Sequence, residues 1–126
     1  MLKKQQDAFE FDFKNDIPFE YRASECQKIL QRQSNRIPLI IQRAQRETDI
    51  EEIKQQKYLV PTDFTYQQFL EFIRQKLNVS KNTGIYIFFS NNKFYQGEKA
   101  MTQVYEECKD EDGFLYCKYA GTEVFG

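Results

Sequence analysis

The run GIYIFFS, residues 84–90, is apolar on both of its alternating faces, so a strand formed there must be covered from two sides. A chain carrying it needs a layered structure with a sheet in the middle, and the two-sided pattern places this strand centrally. The neighbouring segments supply the layers. In TYQQFLEFIRQKL, Thr65 and Gln68 form a capping box, and Tyr66, Phe69, Leu70, Ile73 and Leu77 recur at helical spacing. Phe72 falls about 60° outside that stripe. In PFEYRASECQKILQRQ, Phe19, Ala23, Cys26 and Leu30 fall at i, i+4, i+7 and i+11 behind a proline suited to a first helical turn. That spacing predicts a second amphipathic helix, preceded by a short helical or irregular segment from Lys3 to Phe13.

Between the helices, IPLIIQRA and KYLVP are short, β-branched or aromatic, and separated by the charged connector QRETDIEEIKQQ. They predict paired strands. AMTQVYEECK predicts a short helix through Met101, Val104, Tyr105 and Cys108, and FLYCKYAG a last strand. The order is helix, then ββαβαβ. With one face of a four-stranded sheet on the capped helix, the N-terminal helix is the element free to cover the other. The expected class is α+β, a grasp with an N-terminal helical extension.

Composition excludes several functions. At 126 residues the chain fits one domain that buries roughly two thirds of its unfolded surface, with no repeat, low-complexity segment or Pro/Gly/Ser linker. There is no histidine, which removes Cys-His and Ser-His-Asp catalysis and the commonest metal ligand. No paired-carboxylate motif or Gly-rich phosphate loop takes their place, so neither catalytic residues nor metal ligands nor a cofactor are expected. Cys26, Cys108 and Cys117 are an odd set without C-x-x-C spacing, and no signal peptide precedes them. They read as buried thiols in a reducing cytoplasm. No apolar run approaches the roughly 18 to 20 residues that span a bilayer, so membrane attachment would have to be acquired.

The closing segment YAGTEVFG admits two readings. Glycine is common enough to fall there by chance. Alternatively, the carboxylate of Gly126 is the reactive group, and the residue has no side chain to obstruct a narrow enzyme tunnel. The segments KYLVPTDFTYQQFLEFIRQKL, PFEYRASECQKI, NRIPLI and DGFLYCKYAGTEVFG, in their order, resemble the autophagy-related protein eight family of ubiquitin-like modifiers, over roughly residues 11–126. KYLVP and the aromatic–glycine pair Phe125–Gly126 are its specific marks.

The resemblance implies a ubiquitin-like β-grasp over residues 1–126: an N-terminal helical extension over 1–36, a grasp core over 37–121 and a conjugation tail over 122–126. It implies that Gly126 is activated by an E1-like enzyme, passed to an E2-like enzyme and joined to phosphatidylethanolamine. Phe125 would be read by those enzymes and by a processing and deconjugating cysteine protease. The protein would be cytoplasmic, and on autophagosomal membranes when lipidated.

It further implies pockets for the W/F/Y-x-x-L/I/V motifs of cargo receptors and adaptors. The aromatic pocket maps onto Glu25, Ile29, Pro38, Lys57, Leu59 and Phe114. The aliphatic pocket maps onto Tyr58, Val60, Pro61, Phe64, Phe69, Phe72 and Ile73. A strand edge at Lys57 to Val60 suits such an extended peptide, and Phe72, off the core stripe, suits a pocket wall.

Between Tyr21 and Arg46, Arg22, Lys28, Arg32, Arg36, Arg43 and Arg46 face the single acid Glu25. Acidic residues flanking a bound peptide would meet Arg36, Lys57 and Arg74. Two departures from the family are visible: Gln33, Ser34 and Asn35 replace an aromatic-Pro-Asp turn, and Tyr95 and Gln96 replace a double proline.

Two other readings compete. IYIFF could offer stacking rings to RNA, but the order of elements and the lack of an RNP-type strand argue against it, as the net charge of −1 argues against nucleic acid generally. A binding-only ubiquitin-like adaptor would keep the pockets without conjugation, and the aromatic–glycine pair argues against that.

Overall fold

The computed structural model describes residues 9–122. Its elements are α1 (Asp12–Asp16), α2 (Phe19–Arg32), β1 (Arg36–Arg43), β2 (Lys57–Pro61), α3 (Tyr66–Leu77), β3 (Ile85–Phe89), α4 (Met101–Cys108) and β4 (Leu115–Gly121). The four strands form one mixed sheet in the order β2-β1-β4-β3. β1 and β4 run parallel in the middle, with Leu39 opposite Leu115 and Arg43 opposite Tyr119. β2 pairs antiparallel with β1, and β3 antiparallel with β4.

α3 starts where the sequence places it, because the Thr65 side chain accepts from the Gln68 backbone and Gln68 returns a bond to the Thr65 N–H. It ends on Asn78 in the left-handed conformation, at φ 56°. Phe69, Ile73 and Leu77 point inward to meet Leu39, Ile41, Ile87 and Cys117 from the sheet, with Met101 and Val104 of α4 in the same cluster. On the opposite face Cys26 of α2 packs with Phe11, Ile40, Phe114 and Tyr116. The two-layer cover expected from the sequence is present.

Two expectations are corrected. The GIYIFFS strand is β3, an edge, while the centre is shared by β1 and β4, and every residue of β4 is buried. β3 is apolar on both faces because Phe9 caps its second face, with its ring 6.2 Å from that of Phe88 beside Ala44 and Ala120. Secondly, Phe19 and Leu30 of α2 are exposed, and the buried positions are Arg22 and Cys26, with Ile29 half-buried.

The reason for that rotation is a buried ion pair. Arg22 Nε donates to Asp112 Oδ2 at 2.8 Å, and its Nη1 donates to the carbonyls of Ile17 and Lys14. Asp112 also accepts from the Phe114 N–H at 2.8 Å and the Tyr116 hydroxyl at 2.5 Å. A charged residue enters the interface because its Nε and Nη1 donors find acceptors there, one of them a carboxylate. α1 is secured alongside by Lys14, which pairs with Asp110 at 2.6 Å and lies 4.8 Å from the centre of the Tyr116 ring. The segment expected from Lys3 to Phe13 begins outside the described residues. Within them, helix starts only at Asp12.

All three cysteines are buried and unpaired with one another. Burial raises the Cys26 thiol to about 11, with Asp112 and Glu25 adding to the effect, and burial alone raises Cys117 well above its ordinary value. Both are protonated and inert at neutral pH.

Candidate functional site

β2 is an edge strand, so one side of its backbone is unpaired among the described residues. Its side chains alternate: Tyr58 and Val60 turn into the main core, while Lys57, Leu59 and Pro61 are partly exposed. That alternation gives the edge both a backbone ladder for an incoming strand and a half-exposed surface beside it.

On the α2 side, Lys57 Nζ pairs with the Glu25 carboxylate, joining strand to helix across the proposed aromatic pocket. Ile29 is half-buried beside that pair, while Pro38 is buried and Phe114 is fully enclosed beneath Phe13, 5.3 Å between ring centres. Of the six residues mapped to the aromatic pocket, Pro38 and Phe114 are buried, and Glu25, Ile29, Lys57 and Leu59 are partly exposed. On the α3 side, Phe69 and Ile73 are completely buried and serve the core. Phe64 and Phe72 are only partly buried and line a shallow cavity of about 300 Å³ with Gln67, Gln68, Glu71 and Gln75. Phe72 meets Tyr58 edge-on at 5.3 Å, as a wall braced from behind.

The flank charges divide. Arg36 is half-exposed at the start of β1, paired in register with Pro61. Arg74 is engaged elsewhere, donating to the carbonyls of Thr83 at 2.6 Å and Ser80 at 2.7 Å. Phe125 and Gly126 lie outside the described residues. Phe88 and Phe89 are in the cores, leaving Tyr86, 40% exposed, as the outward ring of β3, so this strand presents no row of stacking platforms.

Glu47 went unnoticed in the sequence because it sits in the charged connector among other acids. It is 1% exposed, and its carboxylate accepts from the N–H groups of Gly121 at 2.7 Å and of Asp49 and Ile50 at 2.8 Å. Burial pushes its pKa up, but these three N–H groups and the charge of Arg43 outweigh that and hold it below the ordinary carboxylate value. A depressed folded value means that the stabilisation is complete above about pH 4.3 and fades as pH falls through the folded pKa. Glu47→Gln should therefore lower stability at pH 7 and flatten the acid limb of a stability-against-pH curve from urea denaturation. An unchanged acid limb would assign acid sensitivity to other carboxylates.

Among the described residues no helix is long and apolar enough to cross a membrane, and no cluster of His, Cys, Asp or Glu side chains is arranged to hold a metal.

A mixed sheet gripping one capped helix, with a further helical layer behind, defines a ubiquitin-like fold. The profile described as "Autophagy protein Atg8 ubiquitin like" matches residues 21–126. Autophagy-related protein 8 of Candida glabrata is 42% identical over 114 residues, covering 90% of this chain and 95% of the relative. Autophagy-related protein 8A of Oryza sativa subsp. indica is 41% identical over 114 residues, covering 90% and 94%. The crystal structure of Trypanosoma brucei ATG8 superposes with a TM-score of 0.82 at 32% identity, over 89% of this chain and 95% of that one. This chain belongs to the Atg8 family of autophagy ubiquitin-like proteins.

Proposed function

We propose that this chain is an autophagy modifier, conjugated through Gly126 to phosphatidylethanolamine, which recruits cargo receptors and adaptors by their W/F/Y-x-x-L/I/V motifs. The observation that carries the peptide half is the open edge of β2, with Leu59 half-exposed between the surface rimmed by Glu25 and Ile29 and that lined by Phe64 and Phe72. A peptide strand laid along that edge places alternate side chains on the two surfaces. Family membership and the Phe125–Gly126 pair support the conjugation half.

The chain is the substrate in that reaction, with residues 37–121 as the grasp core and 122–126 as the reactive segment. The Gly126 carboxylate attacks a nucleoside triphosphate held by the E1-like enzyme, releasing pyrophosphate and leaving an acyl adenylate. A cysteine thiolate displaces the nucleotide, and the thioester passes to the E2-like enzyme by thiol exchange. The lipid amine then attacks the carbonyl, the C–S bond breaks, and the amine proton leaves with the freed thiol. A cysteine protease would reverse the link by hydrolysis. The protein is then cytoplasmic until the lipid holds it on the autophagosomal membrane.

Two measurements test the reading. Wild-type protein with cognate E1-like and E2-like enzymes and phosphatidylethanolamine vesicles should gain the mass of one lipid. Failure to do so with enzymes proven competent would leave a binding-only adaptor. Leu59→Ala should weaken a W-x-x-L peptide by about 1 to 3 kcal/mol in calorimetry, the scale of a lost interface anchor, without breaking the strand backbone. Unchanged affinity would remove Leu59 from the site. Lys57→Glu should weaken acid-flanked peptides more than neutral ones, since it replaces attraction by repulsion.

A further inference from the structure

Where β4 ends, three features converge that the packing of the sheet alone does not require. Gly121 is paired in register with Ile85, yet its N–H also points at the buried Glu47 carboxylate, 2.7 Å away. The other oxygen of that carboxylate takes the N–H groups of Asp49 and Ile50, so one side chain ties the connector to the strand end. The connector is pinned again by the Tyr119 hydroxyl, which accepts from Ile53 N–H at 2.8 Å and donates to Glu51 O at 2.6 Å. On the other side, a Cβ at Gly84 would lie 2.5 Å from Thr122 Oγ1, and one at Gly121 would lie 2.8 Å from Ile50 Cδ1. Both glycines are bare where the chain passes between them, beside a shallow cavity of about 250 Å³ bordered by Glu47, Ile50 and Thr83.

The geometry points to Glu47 as a positioning residue: its carboxylate and the bare backbone at Gly84 clamp β4 at Gly121 and Thr122, and so fix the origin of the segment that delivers Gly126 to the conjugating enzymes. The inference rests on the conjugation reading above. Four residues, 123–126, follow the clamp, and a fully extended chain of that length reaches at most about 14 Å. Within so short a reach, a strand end free to fray or swing spreads the reactive carbon over many directions, most of them unproductive. A carboxylate suits the task because it offers two acceptor oxygens with no donor. A glutamine would turn an NH₂ group toward either Gly121 N–H or the Asp49 and Ile50 pair, and lose one of them.

The test is the rate of lipid transfer by cognate E1-like and E2-like enzymes for wild type, Glu47→Ala and Glu47→Gln, at a temperature where circular dichroism shows all three folded. Both variants should lose about tenfold in kcat with KM within twofold, and the Gly121 amide proton should move upfield in the NMR spectrum of Glu47→Ala, which has no acceptor left for it. Partial unfolding would give the opposite split, a raised apparent KM with kcat kept, because it only lowers the concentration of competent protein. Affinity for a W-x-x-L peptide should stay within twofold, since β1 lies between β2 and the strand that ends at Gly121. Wild-type kcat in both variants, or an unmoved Gly121 amide in Glu47→Ala, overturns the inference while leaving conjugation intact. A wild-type chain that gains no lipid under competent enzymes overturns the conjugation reading and this inference with it.

Discussion

Removal of Gly126 is expected to abolish transfer to phosphatidylethanolamine while leaving folding and peptide docking as they were. On the conjugation proposed above, the acyl carbon passes through an adenylate and two thioesters, and at each stage a nucleophile needs an open approach to the carbonyl. A glycine leaves that approach clear, whereas shortening the chain by one residue presents Phe125, whose ring blocks it and whose carbonyl falls one residue short. The three packed clusters are built from residues between Phe9 and Ala120, so the deletion removes none of their members. Intact mass after a reconstituted reaction is the measurement. A lipid adduct on the shortened chain would show that the reactive atom lies elsewhere. Phe125→Ala should slow both conjugation and proteolytic release without preventing folding.

The largest stability loss is expected from Asp112→Ala. Asp112 is 3% exposed and receives Arg22 Nε, the Phe114 N–H and the Tyr116 hydroxyl. Deleting it strands a buried guanidinium and leaves two further donors without their acceptor, a loss of the order of 3 to 5 kcal/mol. For a chain of this size that is roughly 10 to 20 °C in melting temperature. Arg22→Met with Asp112→Asn should lose much less than the sum of the single changes, because no charge is then left buried and alone. Calorimetric scans of wild type, Arg22→Met, Asp112→Asn and their double complete the cycle, with Asp112→Ala scanned beside them. A loss below about 1 kcal/mol for Asp112→Ala would mean that water replaces the carboxylate and that the helical extension is held by Phe11, Phe13 and Cys26 instead.

The elements were legible in the sequence wherever one local pattern decided them. The Thr65–Gln68 box and the Phe69–Ile73–Leu77 stripe specify α3 from within a few residues. The position of β3 was not legible, because two-sided apolarity records cover and not centrality. Phe9, almost eighty residues away in the chain, supplies the second cover over Phe88. The buried face of α2 was misplaced for a related reason. An arginine scores as a surface residue until its partner is known, and Asp112 is ninety positions distant.

The candidate site divides along the same line. Lys57 and Leu59 alternate with the inward Tyr58 and Val60, as their half-exposure reflects, whereas the edge position of the strand follows from sheet order and not from alternation. Phe69 and Ile73 share one helical stripe with the core, and only packing separates a floor from a wall. Glu47 was illegible because three of its bonds are to backbone N–H groups, which leave no mark on residue type.

The parallel pairing of β1 with β4 has a consequence for synthesis. β4 is the last described strand in chain order, yet it separates β1 from β3. A ribosome delivering residues from the N-terminus therefore exposes a lone β1–β2 hairpin and an unattached β3 until residue 121 has emerged. Both hydrophobic layers stay open over that interval, since Leu115, Cys117 and Tyr119 complete one and Phe114 and Tyr116 the other. A transcript stalled before codon 114 would yield a chain with aliphatic faces bared to water, a substrate for chaperones in place of a smaller stable protein.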